Sequence, residues 1–389
     1  MLFTLALAFA VVRADAQPAA TRFSAVDRVI EEGLAAKLTP GAVVLVGRDD
    51  AVLYEHAYGQ RSLVPSAEPM TIDTIFDLAS LSKVVATTPA VMQLVEQGRI
   101  RLNDPVASFI PGFERYGKAD ITVRHLLTHV SGLRPDLDLD PWEGYDAAIE
   151  RARDEVPTAA PGERFVYSDI NFFLLGDIVA RVTGEPLDRY THREIFEPLG
   201  MVDTEFKPAA SKRSRMAPTE RCDMMAAWPC NTPDAAVLRG VVHDPTARRM
   251  GGVAGHAGLF STARDLSRYA RMILGGGRLG DRRVLSTATI ARMTSPSTPV
   301  GMTSVRGLGW DIDTSYSSNR GDLFPIGSFG HTGFTGGSIW IDPTSRLYVI
   351  FLSNRLHPDG KGEVTALRGK VATAAVAAAL GTNSDSTRT

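Results

Sequence analysis

Ser80 and Lys83 are the residues whose types and spacing most clearly suggest chemistry. Side chains three positions apart share one face of a helix, so we expect Lys83 to meet Ser80 and not Ser82. A serine hydroxyl is a weak nucleophile at neutral pH and needs a base within hydrogen-bonding distance. Lysine can be that base where an apolar environment lowers its pKa, and Lys83 is the only charged residue between Asp77 and Glu96. The pattern predicts nucleophilic catalysis.

A helix that begins at Ser80 would add a second feature. The first N–H groups of a helix have no intrahelical partner, so the backbone N–H of Ser80 could face an oxyanion. A structural alternative is that the SxxK spacing arises by chance and Lys83 extends its amine to the surface from a buried stem. Pro89 falls in the same run, and we expect the helix to kink or restart there.

Composition excludes several classes of function. The chain has 389 residues, of which 44% are hydrophobic and 22% charged, with a formal net charge of -2, as in a globular protein with a sizeable core. No broad basic field is present to attract nucleic acid or anionic lipid. Cys222 and Cys230 lack metal-ligand spacing and either close a small disulfide loop or remain free thiols.

The N-terminus resembles an export signal. An apolar run from Leu2 to Val12 precedes Ala14-Asp15-Ala16, a small-x-small pattern, although no Lys or Arg precedes the run. We predict a signal peptide at 1–16 and a periplasmic or secreted protein; the alternative is a buried first helix. No segment is long enough for stable membrane insertion.

The order of elements predicts an α/β protein of the α+β type. Residues 24–37 have helical periodicity, and the next two apolar runs, separated by Asp49-Asp50, indicate a β-hairpin. We expect an antiparallel sheet built from both chain ends, flanked by the terminal helices, with a mostly helical domain inserted. The predicted ranges are 17–380 for the whole globular domain, about 22–80 and 300–380 for its sheet part, about 81–299 for its helical part, and 381–389 for a flexible tail.

Four further stretches accompany the SxxK motif. They are HLLTHVSGL at 125–133, FVYSDINFFLLG with Tyr167, GGVAGHAGLFSTARDL at 251–266, and SFGHTGFTGGSIWIDP with His331, Thr332 and Gly333. In this order the set resembles the serine β-lactamase and penicillin-binding protein superfamily, in particular the branch of class C β-lactamases, DD-peptidases and related esterases. The resemblance spans about residues 25–380 and implies the β-lactamase/transpeptidase-like fold.

The resemblance implies a role for each matching residue. Ser80 would be the acylated nucleophile, Lys83 its proton partner and Tyr167 the group that carries a proton between nucleophile and leaving group. The backbone N–H groups of Ser80 and Phe334 would form the oxyanion hole. The strand triplet His331, Thr332 and Gly333 would line the pocket. The implied reaction is acyl transfer to water in two steps without metal or cofactor.

Two positions depart from the family pattern. Asp169 stands where the tyrosine motif usually has asparagine, and a carboxylate near Lys83 would favour the charged amine, leaving more of the base work to Tyr167. Alternatively Asp169 points outward and Asn171 takes the asparagine's place. His331 replaces the usual lysine and is mostly neutral at pH 7, so a permanent cation is lost, although the inserted domain could supply an arginine.

These departures favour an ester or a peptide ending in D-alanine as substrate. The partner we expect is therefore a small molecule or a peptidoglycan peptide, with the oligomeric state left open. One alternative is a class C-like β-lactamase; another is a receptor that a β-lactam acylates once. His125 and His129 could share a helical face as zinc ligands, but no HExxH is present, and we expect them to satisfy turn carbonyls. The GxSxG motif of α/β-hydrolases is also absent.

Overall fold

The two ends of the chain form one antiparallel sheet. The structure is a computed structural model and describes residues 22–139, 141–222 and 237–381. In that part of the chain eight strands pair in the order β3-β2-β1-β13-β12-β11-β10-β9. Their bounds are β1 Gly41–Arg48, β2 Ala51–Ser62, β3 Glu68–Pro69, β9 Val305–Arg306, β10 Asp311–Asp313, β11 Phe329–Thr332, β12 Ser338–Asp342 and β13 Leu347–Ser353.

The centre of this sheet is apolar on both faces. Strand β1 is buried from Gly41 to Gly47, and all seven residues of β13 are buried. A strand whose two faces are both covered appears in the sequence as a continuous apolar run, whereas a half-exposed strand alternates apolar and polar residues. Strands β1 and β2 form the predicted hairpin, and Asp49 in its turn adopts φ +51°.

The terminal helices cover one face of the sheet. They are α1 (Ser24–Ala35) and α11 (Thr365–Leu380), and they contact each other as well as the sheet. Val26 and Ile30 of α1 and Val371 of α11 belong to one apolar cluster with Val44 and Trp340 of the sheet. The predicted fold, an antiparallel sheet from both chain ends with flanking terminal helices, is confirmed.

The middle of the chain packs on the other face and joins the sheet in a larger apolar cluster. Its helices are α2 Thr88–Glu96, α3 Val123–Leu127, α4 Tyr145–Asp154, α5 Asp169–Thr183, α6 Leu187–Thr191, α7 Glu197–Leu199, α8 Pro245–Arg249, α9 Ala263–Leu274 and α10 Thr287–Thr294. It also holds a sheet ordered β4-β6-β5 and a β7-β8 hairpin. These strands are β4 Phe76–Asp77, β5 Glu205–Phe206, β6 Leu259–Ser261, β7 Arg278–Leu279 and β8 Arg282–Arg283.

Several sequence predictions lie outside the described residues or are not decided by the fold. The signal segment 1–16, Cys230 and residues 382–389 of the tail are not described. The boundaries drawn at 81 and 299 stay predictions. Among the described residues, no helix combines the length and the apolar character that a membrane crossing requires.

The helix that carries Lys83 changes its winding where the sequence predicts a break. Residues 81–82 begin the helical run, Lys83–Thr87 form a π-helical turn, and α2 then starts at Thr88. Pro89 therefore follows directly after the π-helical turn, where the regular i→i−4 hydrogen bonding is already interrupted. The predicted interruption is present at this proline.

Gly255 holds the segment before β6 against α5. A Cβ at this position would lie 1.9 Å from the carbonyl oxygen of Phe172 and 2.8 Å from its carbonyl carbon. Thr87 donates a hydrogen bond of 2.6 Å to the carbonyl of Gly255, so the same segment is also fixed to the Lys83 helix. Close packing at Gly255 thus sets the position of the next residue, His256.

We predict that Gly255→Ala lowers both stability and activity. The added methyl must displace α5 or the 255 segment, and such overpacking costs about 1–3 kcal/mol. Urea denaturation measures the loss, and ester hydrolysis should fall with it. Gly98→Ala is the control, because an added Cβ there meets nothing within 4 Å, so this variant carries the backbone strain of its φ of +68° but no overpacking. Equal loss of activity in both variants would contradict the prediction.

Candidate active site

The structure brings the Ser80 and Lys83 side chains together. Lys83 Nζ lies 2.9 Å from Ser80 Oγ, one turn along the same helix face. Ser82 points elsewhere, since its Oγ accepts a hydrogen bond from the backbone N–H of Leu259. The spacing argument that paired Lys83 with Ser80 and not with Ser82 is confirmed by these contacts.

A buried aspartate shapes the turn that presents Ser80. Asp77 accepts hydrogen bonds from the backbone N–H of Ala79 at 2.9 Å and of His243 at 2.7 Å. Its carbonyl accepts from the Thr335 hydroxyl at 2.6 Å. Ala79 adopts φ +45°, a region that non-glycine residues seldom occupy and that occurs often next to functional groups. Sequence reasoning assigned no role to Asp77, because its partners lie far away in the chain.

Lys83 is fully buried but not in apolar surroundings. Its Nζ lies 2.6 Å from Asp169 Oδ1 and donates to the carbonyl of His256 at 3.2 Å. Burial on its own would lower the pKa of Lys83, but the charge of Asp169, together with Tyr167, outweighs burial and raises the pKa. The expectation that an apolar environment leaves the amine neutral is wrong; the expectation that a nearby carboxylate favours the ammonium agrees with the geometry.

Tyr167 lies beside both residues: Lys83 Nζ is 5.0 Å from the centroid of its ring, and Tyr167 and Ser80 line the same pocket. Burial raises the pKa of Tyr167, and the neighbouring Lys83 opposes this only in part. The ring is held by stacking on His129, with centroids 4.4 Å apart and planes inclined by 26°. A serine hydroxyl, a buried ammonium and a tyrosine therefore lie together at one point.

Asp169 and Asn171 occupy different environments. Asp169 begins α5 and turns its carboxylate to Lys83. Asn171 is fully buried behind the site, where it accepts a hydrogen bond of 2.6 Å from Ser131 and contacts His129 Nδ1 at 3.3 Å. It does not line the pocket. The alternative in which Asn171 replaces Asp169 at the substrate has no support in this geometry.

The strand triplet forms the wall opposite Tyr167. His331, Thr332, Gly333 and Phe334 all line the same pocket. Burial lowers the pKa of His331 well below its usual value, and the charges of Arg306 and Lys83 act in the same direction, so the imidazole is neutral. A Cβ on Gly333 would lie 2.4 Å from the Leu78 carbonyl, so only glycine lets the strand approach the Ser80 turn this closely.

Two backbone N–H groups are available for an oxyanion. Among the described residues, neither Ser80 N nor Phe334 N donates a hydrogen bond. Ser80 lies in the turn before the helical run and Phe334 in the turn after β11. Paired, unoccupied donors beside a nucleophile are the geometry that stabilises a tetrahedral intermediate.

The pocket has a volume of about 540 Å³ and carries charges of both signs. Arg355 donates to the Phe334 carbonyl at 2.6 Å, and Arg368 donates to the Gly333 carbonyl at 2.7 Å. Burial lowers the pKa of Arg368 to about 10, which leaves it charged at neutral pH. The cations beside the triplet come from the C-terminal segment and from α11, and not from the inserted domain as considered above.

A second ion pair lies next to Lys83. Asp244, which caps α8, accepts a bond from His256 Nε2 at 2.9 Å. Burial opposes a charged imidazole, but Asp244 outweighs it and raises the pKa of His256. Ligand atoms of Asp169, Asp244 and His256 lie within 4.8 Å of one another, which is the nearest approach to a metal-binding set among the described residues. Lys83 and His256 already balance these carboxylates.

The two histidines considered as zinc ligands have structural roles. His125 Nδ1 accepts the Thr122 N–H in a capping box at the start of α3. His129 Nδ1 accepts the Ser168 N–H at 3.1 Å, which fixes the backbone between Tyr167 and Asp169. The expectation that the pair satisfies turn carbonyls is wrong for these bonds, because both Nδ1 atoms accept a backbone N–H.

A comparison with protein families agrees with this geometry. The family model described as Beta-lactamase matches residues 26–374. The chain belongs to the Beta-lactamase family. A "Putative D-alanyl-D-alanine carboxypeptidase" of Escherichia coli (strain K12) is 32% identical over 347 residues, 82% of this chain and 79% of the relative. An "N-acetylmuramyl-L-alanine amidase" of Bacillus subtilis (strain 168) is 34% identical over 376 residues, 88% and 83% of the two chains.

Solved structures of this family share the fold. The crystal structure of a family VIII carboxylesterase superimposes with a TM-score of 0.71 at 22% identity, covering 92% of this chain and 97% of that one. The predicted membership in the β-lactamase and penicillin-binding protein superfamily is confirmed, as is the prediction that the protein is a β-lactamase-like hydrolase.

We predict that the reactivity of Ser80 rises with pH into the alkaline range. Both groups that could accept its proton, Lys83 and Tyr167, have raised pKa values, so each gains its basic form only as pH increases above neutral. The measurement is the rate of labelling by a fluorophosphonate between pH 6 and pH 10, with Ser80→Ala as background at each pH. A plateau reached below pH 7 would contradict this charge assignment.

Proposed function

We propose that this Beta-lactamase family member is an exported serine hydrolase that works through a Ser80 acyl-enzyme. Its substrate is an ester or a peptide that ends in D-alanine. The observation that carries the proposal is the contact of Ser80 Oγ with Lys83 Nζ at 2.9 Å, beside Tyr167, which lines the same pocket as Ser80.

The charges divide the work between Lys83 and Tyr167. Asp169 holds Lys83 as an ammonium, which cannot accept a proton but stabilises negative charge on its neighbours. Tyr167 in its phenolate form then removes the Ser80 proton as Oγ bonds to the substrate carbonyl carbon. The carbonyl oxygen becomes an oxyanion facing the N–H groups of Ser80 and Phe334. The Tyr167 proton passes to the leaving group as its bond to the acyl carbon breaks. In the second step water gives a proton to Tyr167 and attacks the acyl carbon, the bond to Ser80 Oγ breaks, and Ser80 regains a proton from Tyr167.

The pocket favours a substrate with an anionic end. Arg355 and Arg368 flank the strand triplet, so a carboxylate on the leaving group would find two cations there. Neutral His331 contributes no charge of its own. The names of two relatives, a carboxypeptidase for D-alanyl-D-alanine and an amidase for muramyl-L-alanine, also favour peptidoglycan peptides. Export, predicted from residues 1–16, would place the enzyme with such substrates.

We predict that Ser80→Ala abolishes hydrolysis of p-nitrophenyl esters and labelling by a fluorophosphonate. Tyr167→Phe should slow acylation by roughly 10²–10⁴-fold, because the phenol moves a proton in the transition state. The matched controls are Ser82→Ala, a serine of the same turn that faces Leu259, and Tyr316→Phe, whose ring lies 5.2 Å from that of Tyr167.

Labelling of Ser80→Ala at the wild-type rate would remove Ser80 from the mechanism. An unchanged rate in Tyr167→Phe would remove Tyr167.

Turnover also separates the enzyme from a receptor. An enzyme releases product continuously and regenerates Ser80, whereas a receptor stops at one acyl group per chain. A panel of nitrocefin, short-chain p-nitrophenyl esters and a peptide ending in two D-alanines identifies the substrate class.

We predict that Asp169→Asn raises turnover of nitrocefin. A carboxylate cannot donate a hydrogen bond to a substrate amide carbonyl, whereas an asparagine can. The variant also removes the charge that holds Lys83 as an ammonium. Asp313→Asn removes a carboxylate that pairs with Arg320 and does not line the pocket, and serves as the control. An unchanged or lower nitrocefin rate in Asp169→Asn would contradict this account of the substrate preference.

A further inference from the structure

Arg306 is a buried guanidinium that the catalytic scheme above does not use. It lies on β9 at the edge of the large sheet, and its side chain is 0% exposed. Nη2 donates to the Gly309 carbonyl at 2.8 Å, but Nε and Nη1 have no hydrogen-bond partner among the described residues. Arginine is almost never buried in this way without a full set of partners.

The nearest carboxylate faces this charge but does not complete its hydrogen bonds. Asp311 Oδ1 lies 3.6 Å from Nη1 of Arg306. The same carboxylate already accepts hydrogen bonds from Thr314 at 2.8 Å and Ser317 at 2.9 Å. Asp311 therefore offsets part of the charge of Arg306 but leaves Nε and Nη1 without a hydrogen bond.

Arg306 lies against the aromatic ring that carries the proton. Its Cζ is 5.9 Å from the ring centroid of Tyr167 and 5.7 Å from that of Phe165. Lys83 Nζ lies 5.0 Å from the same Tyr167 centroid. A cation within about 6 Å of a ring centroid is attracted to the ring, more strongly when both are out of water. Two cations thus act on one phenol.

A direct contact of Arg306 with substrate is excluded by its burial. Its side chain has no accessible surface, although it forms part of the wall behind the pocket. Its charge nevertheless acts across the site, because a buried charge is poorly screened. The charge of Arg306 lowers the pKa of His331 and of His129, second only to burial in each case. Both imidazoles next to Tyr167 are consequently neutral.

We propose that Arg306 is a positioning residue that supplies the active site with a fixed positive charge, in place of the strand cation that is absent at His331. The charge stabilises Tyr167 while the phenol oxygen is anionic and takes the Ser80 proton. This inference rests on the proposed function, because it assumes that Tyr167 moves that proton. The titratable groups around the Tyr167 ring are Lys83, Asp169, His129, His331 and Tyr316.

The test is the pH profile of fluorophosphonate labelling in charge-changing variants. Arg306→Gln should move the rising limb to higher pH by about one pH unit or more, because removing a nearby cation disfavours the phenolate. At neutral pH the labelling rate should fall by about tenfold for each pH unit of that shift. Arg306→Lys should restore part of the rate. Arg320→Gln is the control, since Arg320 pairs with Asp313 away from Tyr167 and should leave the profile unchanged.

Asp311→Asn provides an independent variant, for which we expect the pH profile to shift in the opposite direction. It removes the carboxylate that partly offsets Arg306, so the rising limb should move to lower pH. If Arg306→Gln fails to fold, as near-UV circular dichroism would show, this shift decides the question. A folded Arg306→Gln enzyme with the wild-type profile, or an Asp311→Asn profile that does not move downward, would overturn the inference. Both outcomes leave the dependence of labelling on Ser80 intact, and loss of that dependence would instead overturn the proposed function.

Discussion

The contact between Lys83 and Asp169 determines how the rest of the site can work. A lysine with no access to water would ordinarily lose its proton, because burial disfavours the charged form. Asp169, at 2.6 Å, reverses that preference, and the ammonium remains between the nucleophile and the carboxylate. Removing one partner from such a buried pair leaves the other uncompensated. The catalytic geometry and the local stability therefore depend on the same two side chains.

This ion pair explains the arrangement of several surrounding groups. A fixed ammonium beside Ser80 needs acceptors on its other sides, and the His256 carbonyl provides one. The segment that carries His256 is held by Gly255 against α5 and by the hydrogen bond from Thr87. Since α5 begins at Asp169, the element that supplies the carboxylate also fixes the carbonyl. The polar contacts of Lys83 are thus built into the packing of the helical layer.

The fold and the meeting of Ser80 with Lys83 could be predicted from the sequence for identifiable reasons. Buried strands such as β1 and β13 are continuous runs of β-branched and aromatic residues, and Ser80, Lys83, Tyr167 and the triplet fall in short motifs. Short strands such as β4 to β6, with two or three residues each, carry no periodicity and were missed.

The charge state of Lys83 was harder to predict. Its neighbours in sequence indicate burial alone, and the deciding carboxylate comes from another element. Asp77, Asp244, His256 and Arg306 were not identified as functional for the same reason: only tertiary contacts distinguish them from ordinary polar residues.

The close approach of Gly333 to the Leu78 carbonyl has a consequence for synthesis of the chain. The two candidate oxyanion donors, Ser80 and Phe334, lie far apart in the chain, and β11 joins β1 in the sheet only through β12 and β13. During synthesis the serine therefore lacks its second N–H donor until the segment through β13 has left the ribosome. The paired donors can form only once strands from both halves of the sheet have assembled.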